Sequence, residues 1–418
     1  MLLFNKLTTF IFYTRKENKM EKSNNSSLWV QIAALSVALL MYTTSMTTPA
    51  LAEIAKAFPD AAPETIKLLS TIPSLMMVFF ALISGKLTQY ISIKKIISIA
   101  MVLIFIGGIP SAFIGNLQFM IFMRFVFGAG YGLVFPMASA VITDLYSGQQ
   151  ANKLMGFKSA VGAAAGMVFQ MMGGMLAAYN WRFSFLGFLL VIPIALIIWF
   201  KLPDTGVKKP EKVDDSAIKE KKVTTMTYIL AVACGLVNMV QFSFMTNVAM
   251  VMKADGIGNA TQSATVLSIF TASAFVVGLL YGNIAKRLKQ YSASFGILCV
   301  GLSFVILLSA NSLTLLILGA IIFGIGFGIF NPAIVMAVAA SATSSKYAAV
   351  AISIYVSGTG IGQFLSPYAL KFLRETFNLT SARADWQIAA LTLILGSIIS
   401  MVLVAIKIKN SVEIKQTV

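Results

Sequence analysis

The chain has 418 residues, 58% of them hydrophobic and 11% charged, with 32 Lys and Arg against 15 Asp and Glu and no histidine. That balance excludes a water-soluble enzyme, and the missing imidazole removes histidine metal sites, histidine proton relays and Ser-His-Asp triads. Cys234 and Cys299 lie in apolar runs without a Cys-x-x-Cys partner, so neither a redox motif nor a metal site is expected.

At about 20 apolar residues per bilayer crossing, the hydrophobic runs predict an all-α membrane protein. Its twelve spans fall near 29–52, 67–88, 94–114, 118–141, 154–178, 182–201, 225–250, 264–285, 292–311, 313–341, 347–370 and 386–407. Residues 1–27 read as a cytoplasmic N-terminal segment, in which Thr8–Tyr13 is too short to cross a bilayer and Met20 is a candidate true start. Residues 28–201 form a first six-helix bundle, 202–224 a polar linker, 225–408 a second bundle and 409–418 a cytoplasmic tail. Of the 32 basic residues, 24 fall on the side of the termini, seven on the other, and Arg124 alone inside a predicted span. The positive-inside rule then puts both termini in the cytoplasm of a cell-membrane protein. Basic residues that flank spans, without an aromatic-basic motif, exclude nucleic acid as a partner.

The halves repeat. Gly128-Ala-Gly130-Tyr-Gly132-Leu-Val-Phe-Pro136 in the fourth span matches Gly324-Ile-Gly326-Phe-Gly328-Ile-Phe-Asn-Pro332 in the tenth, 196 residues on. Gly162 and Gly166 are answered by Gly358 and Gly362 at the same offset. Small residues at such spacing let helix backbones approach closely, and the same glycines and prolines are candidate hinges. The only Gly-Lys pair, Gly85-Lys86, lacks the frame of a phosphate loop, so ATP is not the direct energy source and no cofactor is expected.

These features resemble the major facilitator superfamily of secondary transporters over residues 28–408. The loop after span two, Gly85-Lys-Leu-Thr-Gln89-Tyr-Ile-Ser92-Ile-Lys94-Lys95, keeps the family's basic frame, with Gln89 in place of the usual acid and Ser92 in place of a glycine. The resemblance implies an inter-bundle latch there, weakened by the missing charge. Arg124 followed by Gly128 and Gly130 matches the family's motif in span four, and Thr48-Pro49-Ala-Leu51-Ala-Glu53 is similar to the first span of its drug:proton antiporters. Span five departs from the antiporter pattern: Gly162-Ala-Ala-Ala-Gly166 runs on to Gln170 and Gly173-Gly174 without the proline.

The resemblance implies a monomeric carrier that works by alternating access, with small-molecule cargo, protons and the lipid bilayer as its partners and a site where the halves meet. By depth, the substrate-binding candidates are Tyr42, Met46, Arg124, Gln170, Asn238, Gln241, Phe242, Phe270, Asn331, Tyr355 and Gln363. No carboxylate reads at mid-span, so Glu53 at the outer end of span one, with Arg124, is the coupling candidate. Proton-coupled export of small amphipathic compounds is the favoured function. A carrier of small organic anions, motivated by Arg124, and a non-transporting membrane sensor are the alternatives.

Overall fold

A computed structural model describes residues 27–207, 223–344 and 347–416. The expectations for the N-terminal segment, for Met20 and for most of the polar linker fall outside them. Where water is absent the backbone must bond to itself, and the described chain is helical, without strands. Ten helical stretches are long and apolar enough to cross a membrane, and the pair Leu28–Leu40 and Thr43–Ala57, bent by 48°, makes an eleventh. One of the ten, Ala260–Leu308, is two helices joined at Lys289, whose φ of 49° reverses the chain, so the described residues form twelve spans.

In chain order they are α1 (Leu28–Ala57, broken), α2 (Pro63–Leu87), α3 (Ile93–Ala112), α4 (Leu117–Leu145), α5 (Gly148–Tyr179) and α6 (Trp181–Lys201). The second bundle holds α7 (Thr225–Ala254), α8 (Ala260–Leu288), α9 (Ser292–Leu308), α10 (Leu313–Ala340), α11 (Ala348–Thr376) and α12 (Ala384–Gln416). Every predicted span has its helix. Helix ends run past the hydrophobic limits, because a helix continues into charged sequence where a hydropathy reading stops. Lys67 and Lys158 lie within α2 and α5, as they do within the predicted spans 67–88 and 154–178, so Arg124 is not the one basic residue inside a span.

The 196-residue repeat is a repeat of contacts. Gly128 and Gly132 of α4 pack on Pro73, Met76 and Met77 of α2, and Gly324 and Gly328 of α10 pack on Phe270 and Ala274 of α8. The intervening glycines face the third helix of each half. A Cβ built on Gly130 would lie 2.6 Å from Ala100 O of α3, and one built on Gly326 2.6 Å from Gly296 O of α9. Gly162 and Gly166 accommodate the Tyr42 ring of α1, while Gly358 and Gly362 meet the backbone of Ala231 and Gly235 in α7.

The first helix of each half breaks at mid-depth. In α1 the α-helix stops at Leu40 and continues as 3-10 turns, Thr43–Met46 and Thr48–Ala50, with Pro49 unable to donate to the ladder. In α7 the break falls at Phe242, between Thr225–Gln241 and Ser243–Ala254.

We expect Gly326→Val to destabilise the detergent-solubilised protein by about 1–3 kcal/mol through overpacking against fixed backbone. Gly278→Ala, where a Cβ meets nothing within 4 Å, should leave the melting temperature unchanged; equal effects from the two would contradict this packing.

Candidate functional site

The bundles enclose a cavity of about 590 Å³ at the level of the two helix breaks. From the first bundle Tyr42 and Ser45 of α1 line it together with Ser159, Gly166 and Gln170 of α5. From the second come Asn238, Gln241, Phe242 and Met245 of α7, Phe270, Thr271 and Phe275 of α8, Phe323, Phe327 and Asn331 of α10, and Gln363 of α11. Tyr42 and Asn238 are 196 residues apart, as are Ser45 and Gln241, so the two broken helices present corresponding positions from opposite sides.

Eight of the eleven substrate-binding candidates therefore line this space: Tyr42, Gln170, Asn238, Gln241, Phe242, Phe270, Asn331 and Gln363. Three do not. Met46 is fully buried, its sulfur over Gly187 and its carbonyl against Gly173. Tyr355 stands behind the wall, its hydroxyl donating to Asn331 Oδ1 at 3.3 Å. Arg124 is 0% exposed and points into the first bundle, where Nη2 donates to Gly107 O at 2.8 Å and the guanidinium lies 4.6–5.2 Å from the ring centres of Phe127, Phe185 and Phe188. Its register on α4 aims it at α3 and α6 and away from the cavity, a direction that depth alone does not give.

Polar bonds organise the wall. Thr271 Oγ1 donates to Gln170 Oε1 at 3.2 Å across the bundle interface, Asn238 Nδ2 to Cys234 O at 3.0 Å, and Gln363 Nε2 to Asn238 Oδ1 at 3.5 Å. Gln241, 4% exposed, has a buried Oε1 with no partner. Sequence reasoning missed Ser45, Ser159, Met245, Thr271, Phe275, Phe323 and Phe327. The phenylalanines carried no signal because the chain has 31 of them, and α10, which carries Phe323 and Phe327, is apolar all round and shows no facing preference.

The cavity is closed on the face opposite the termini. There Lys67 Nζ of α2 meets Asp385 Oδ2 of α12 at 2.9 Å, with side chains 4% and 3% exposed. Arg374 of α11 bridges Glu64 of α2 and Asp385, with Nε 3.0 Å from Oδ1. Asn247 Nδ2 of α7 adds a bond to Asp385 Oδ2 at 2.6 Å. Glu64 and Asp385 are the two buried carboxylates among the described residues. Nearer solvent, Glu53 Oε1 accepts from Lys253 Nζ at 2.8 Å. Glu53, the coupling candidate, is thus a partly exposed strap between α1 and α7. The cluster's four charges sit near helix ends, and its pairs across the bundles, Lys67–Asp385 and Glu64–Arg374, are more than 300 residues apart and leave no spacing pattern.

On the face of the termini the bundles part. No residue of α8 after Phe270 is buried, and a Cβ added at Gly85, Gly156, Gly278 or Gly282 meets nothing within 4 Å. The loop signature lies here. Lys94 Nζ donates to Trp199 O of the same bundle at 2.8 Å, and among the described residues no bond of Gln89, Lys94 or Lys95 reaches the second bundle, so the expected latch is not engaged in this state. The acid missing at position 89 is replaced by Asp204, just after α6. The Ser92 hydroxyl foremost, with lesser help from the Gly206 amide, Lys95 and Lys94, holds its carboxylate below the usual range, against an opposing effect of burial second in size to that of Ser92. A carboxylate held low stabilises the fold fully above its unfolded value near ~4 and loses that contribution as pH falls through the folded value. Asp204→Asn should therefore melt below wild type at neutral pH, and the two curves should converge as pH is lowered under about 4.

Two repeated six-helix bundles around a central cavity, open at one face and shut at the other, are the architecture of a membrane carrier. The sequence profile of the Major Facilitator Superfamily matches residues 33–367 and 257–417, and the chain belongs to that superfamily of transporters. Among curated relatives in Bacillus subtilis (strain 168), the multidrug transporter protein MdtP is 30% identical over 158 residues, 37% of this chain and 29% of its own length. The putative niacin/nicotinamide transporter NiaP is 25% identical over 147 residues, 35% of this chain and 37% of its own. The matches thus span about a third of each relative. Among solved structures, the nucleoside transporter NupG superposes with a TM-score of 0.69 at 14% identity, covering 90% of this chain and 98% of its own. The D-xylose-proton symporter does so with a TM-score of 0.68 at 14% identity, covering 89% and 96%. These superpositions establish the fold.

Because Arg124 holds α3, α4 and α6 together from outside the cavity, we expect Arg124→Ala to destabilise by about 2 kcal/mol or more through the void it leaves. Arg124→Met, which fills the volume and removes a buried charge, should match or exceed wild-type stability. Both should keep wild-type ligand affinity; a selective loss of affinity would return Arg124 to the binding site.

Proposed function

We propose that the protein is a secondary active transporter of the cytoplasmic membrane, with both termini in the cytoplasm, that exports small amphipathic compounds in exchange for protons by rocking its two bundles about the central cavity. The observation that carries this reading is the asymmetry of closure. One face is sealed by ion pairs that join the bundles, the other is open, and the cavity lies between them, which is one end state of alternating access. The partial likeness to a multidrug transporter favours amphipathic cargo, and the Phe-rich wall suits it. A carrier of organic anions loses the residue that motivated it, since Arg124 lies outside the cavity.

In this reading the sealing cluster also couples the cycle to protons. Opening the sealed face must draw Glu64 and Lys67 of α2 away from Arg374 and Asp385. Separating buried partners leaves uncompensated charge, which is strongly unfavourable. A proton on Asp385 removes the attraction to Lys67 and Arg374 and lowers that barrier, and re-pairing on closure displaces it. Glu64, Lys67 and Arg374 are the charged groups around Asp385, with Asn247 as a neutral donor.

The test is transport in proteoliposomes. Wild type should show counterflow without a gradient and concentrative transport with a pH gradient; Asp385→Asn should keep counterflow and lose gradient dependence. A protein that binds ligand yet gives no counterflow is a sensor rather than a carrier, and unchanged gradient dependence in Asp385→Asn removes the cluster from coupling.

A further inference from the structure

We infer that the cavity selects uncharged planar aromatic or heteroaromatic molecules bearing an amide-like edge, of nucleoside size or smaller, and rejects their ionised counterparts. This rests on the transporter reading above and narrows its cargo. The first observation is the absence of charge. Among the described residues, no Asp, Glu, Lys or Arg lines the cavity. Arg124 is turned into the first bundle, and Lys158, beside the lining Ser159, donates to Ser139 Oγ at 2.6 Å. An ion taken into such a space gives up its hydration without a countercharge, so a charged ligand is disfavoured relative to a neutral one of the same shape.

The second observation is what replaces charge. Five carboxamides line the cavity, Gln170, Asn238, Gln241, Asn331 and Gln363. A carboxamide offers a donor and an acceptor side by side, and it pairs in two-bond fashion with an edge that offers the complement, as Asn and Gln do with a purine. The oxygens of Gln170 and Asn331 are taken by Thr271 and Tyr355, which leaves their NH₂ groups as donors. Gln241 supplies the opposite half: it lines the cavity and its Oε1 is buried without a partner, so a turn of the side chain that presents this oxygen to a ligand N–H gains a bond it otherwise lacks. The ligand edge that satisfies this wall has a carbonyl or ring nitrogen to accept and an N–H to donate.

The third observation is the aromatic lining. Phe270 packs edge-on to Phe323 and Phe327, with ring centres 5.2 and 5.7 Å apart, and all three line the cavity. Such a surface offers offset or edge-to-face seats to a planar ring. A volume of about 590 Å³ exceeds what a single ring needs and is ample for a ring with a neutral sugar-sized substituent.

The experiment compares matched pairs on the purified full chain. Thermal shift and equilibrium binding are measured with benzamide against benzoate and with uridine against uridine 5′-monophosphate, with tetraphenylphosphonium as a lipophilic cation. Saturable stabilisation by the neutral member of each pair is expected, with binding of the charged member weaker by about tenfold or more. Gln241→Leu should keep its ligand-free melting temperature and lose about tenfold in affinity for benzamide and uridine; should that variant fail to stay monodisperse, Asn331→Leu carries the same expectation. Equal or tighter binding of benzoate or the nucleotide overturns the inference. Binding of tetraphenylphosphonium alone overturns it too, while leaving the transporter reading in place, whereas absence of counterflow with any bound probe strikes at that reading instead.

Discussion

Helices in lipid gain nothing from hiding apolar surface from one another, since the tails around them are as apolar as the side chains. What remains is contact at short range, and the rest of this structure depends on glycines that permit it. The Gly128–Gly132 and Gly324–Gly328 segments let α4 and α10 each touch two neighbours backbone to backbone. Each half is thereby fixed as a rigid unit. Arg124, wedged among three phenyl rings with one carbonyl partner, adds a polar tie of the same kind inside the first half.

Rigid halves leave the interface between them to do the work. Its contacts are of two sorts. Around the cavity they are neutral hydrogen bonds such as Thr271 to Gln170 and Ser268 to Met167 O, weak enough to be exchanged. At the sealed face they are charges buried at 3–6% side-chain exposure, save Arg374 at 24%. The contrast assigns adaptability to the middle of the molecule and commitment to one end. The 48° bend in α1 brings its outer half toward the second bundle, where Glu53 and Lys253 meet.

Much of this was legible in the sequence. The spans follow from hydrophobic run length, and the repeat was visible as a constant offset that proved to be a repeat of packing partners. Six of the eight recovered cavity residues, all but Phe242 and Phe270, were legible because polar side chains at mid-span are expensive in lipid and so face inward. The failures share one cause: direction around a helix. Depth placed Arg124 and Met46 at cavity level but not on the cavity side, and glycine-rich helices that are buried all round give no amphipathic stripe from which to read it. The charged cluster was hidden differently. Glu64, Lys67, Arg374 and Asp385 each follow or precede an apolar run as ordinary loop charges do, and only their meeting in space, across more than 300 residues of chain, distinguishes them.

The cluster also has an electrical consequence. Two carboxylates and two cations sum to zero, so their separation as the bundles rock moves little net charge through the membrane field. A charge that crosses the whole field exchanges about 2.3 kcal/mol per 100 mV with the membrane potential. With its four groups ionised the cluster is nearly silent to that potential; in the proposed cycle, one proton aboard would give it a full positive charge, and the potential would then bias the loaded and unloaded halves of that cycle differently. A neutral cargo in an uncharged cavity adds nothing to that tally, which would leave the proton as the sole means by which the cell's voltage drives the carrier.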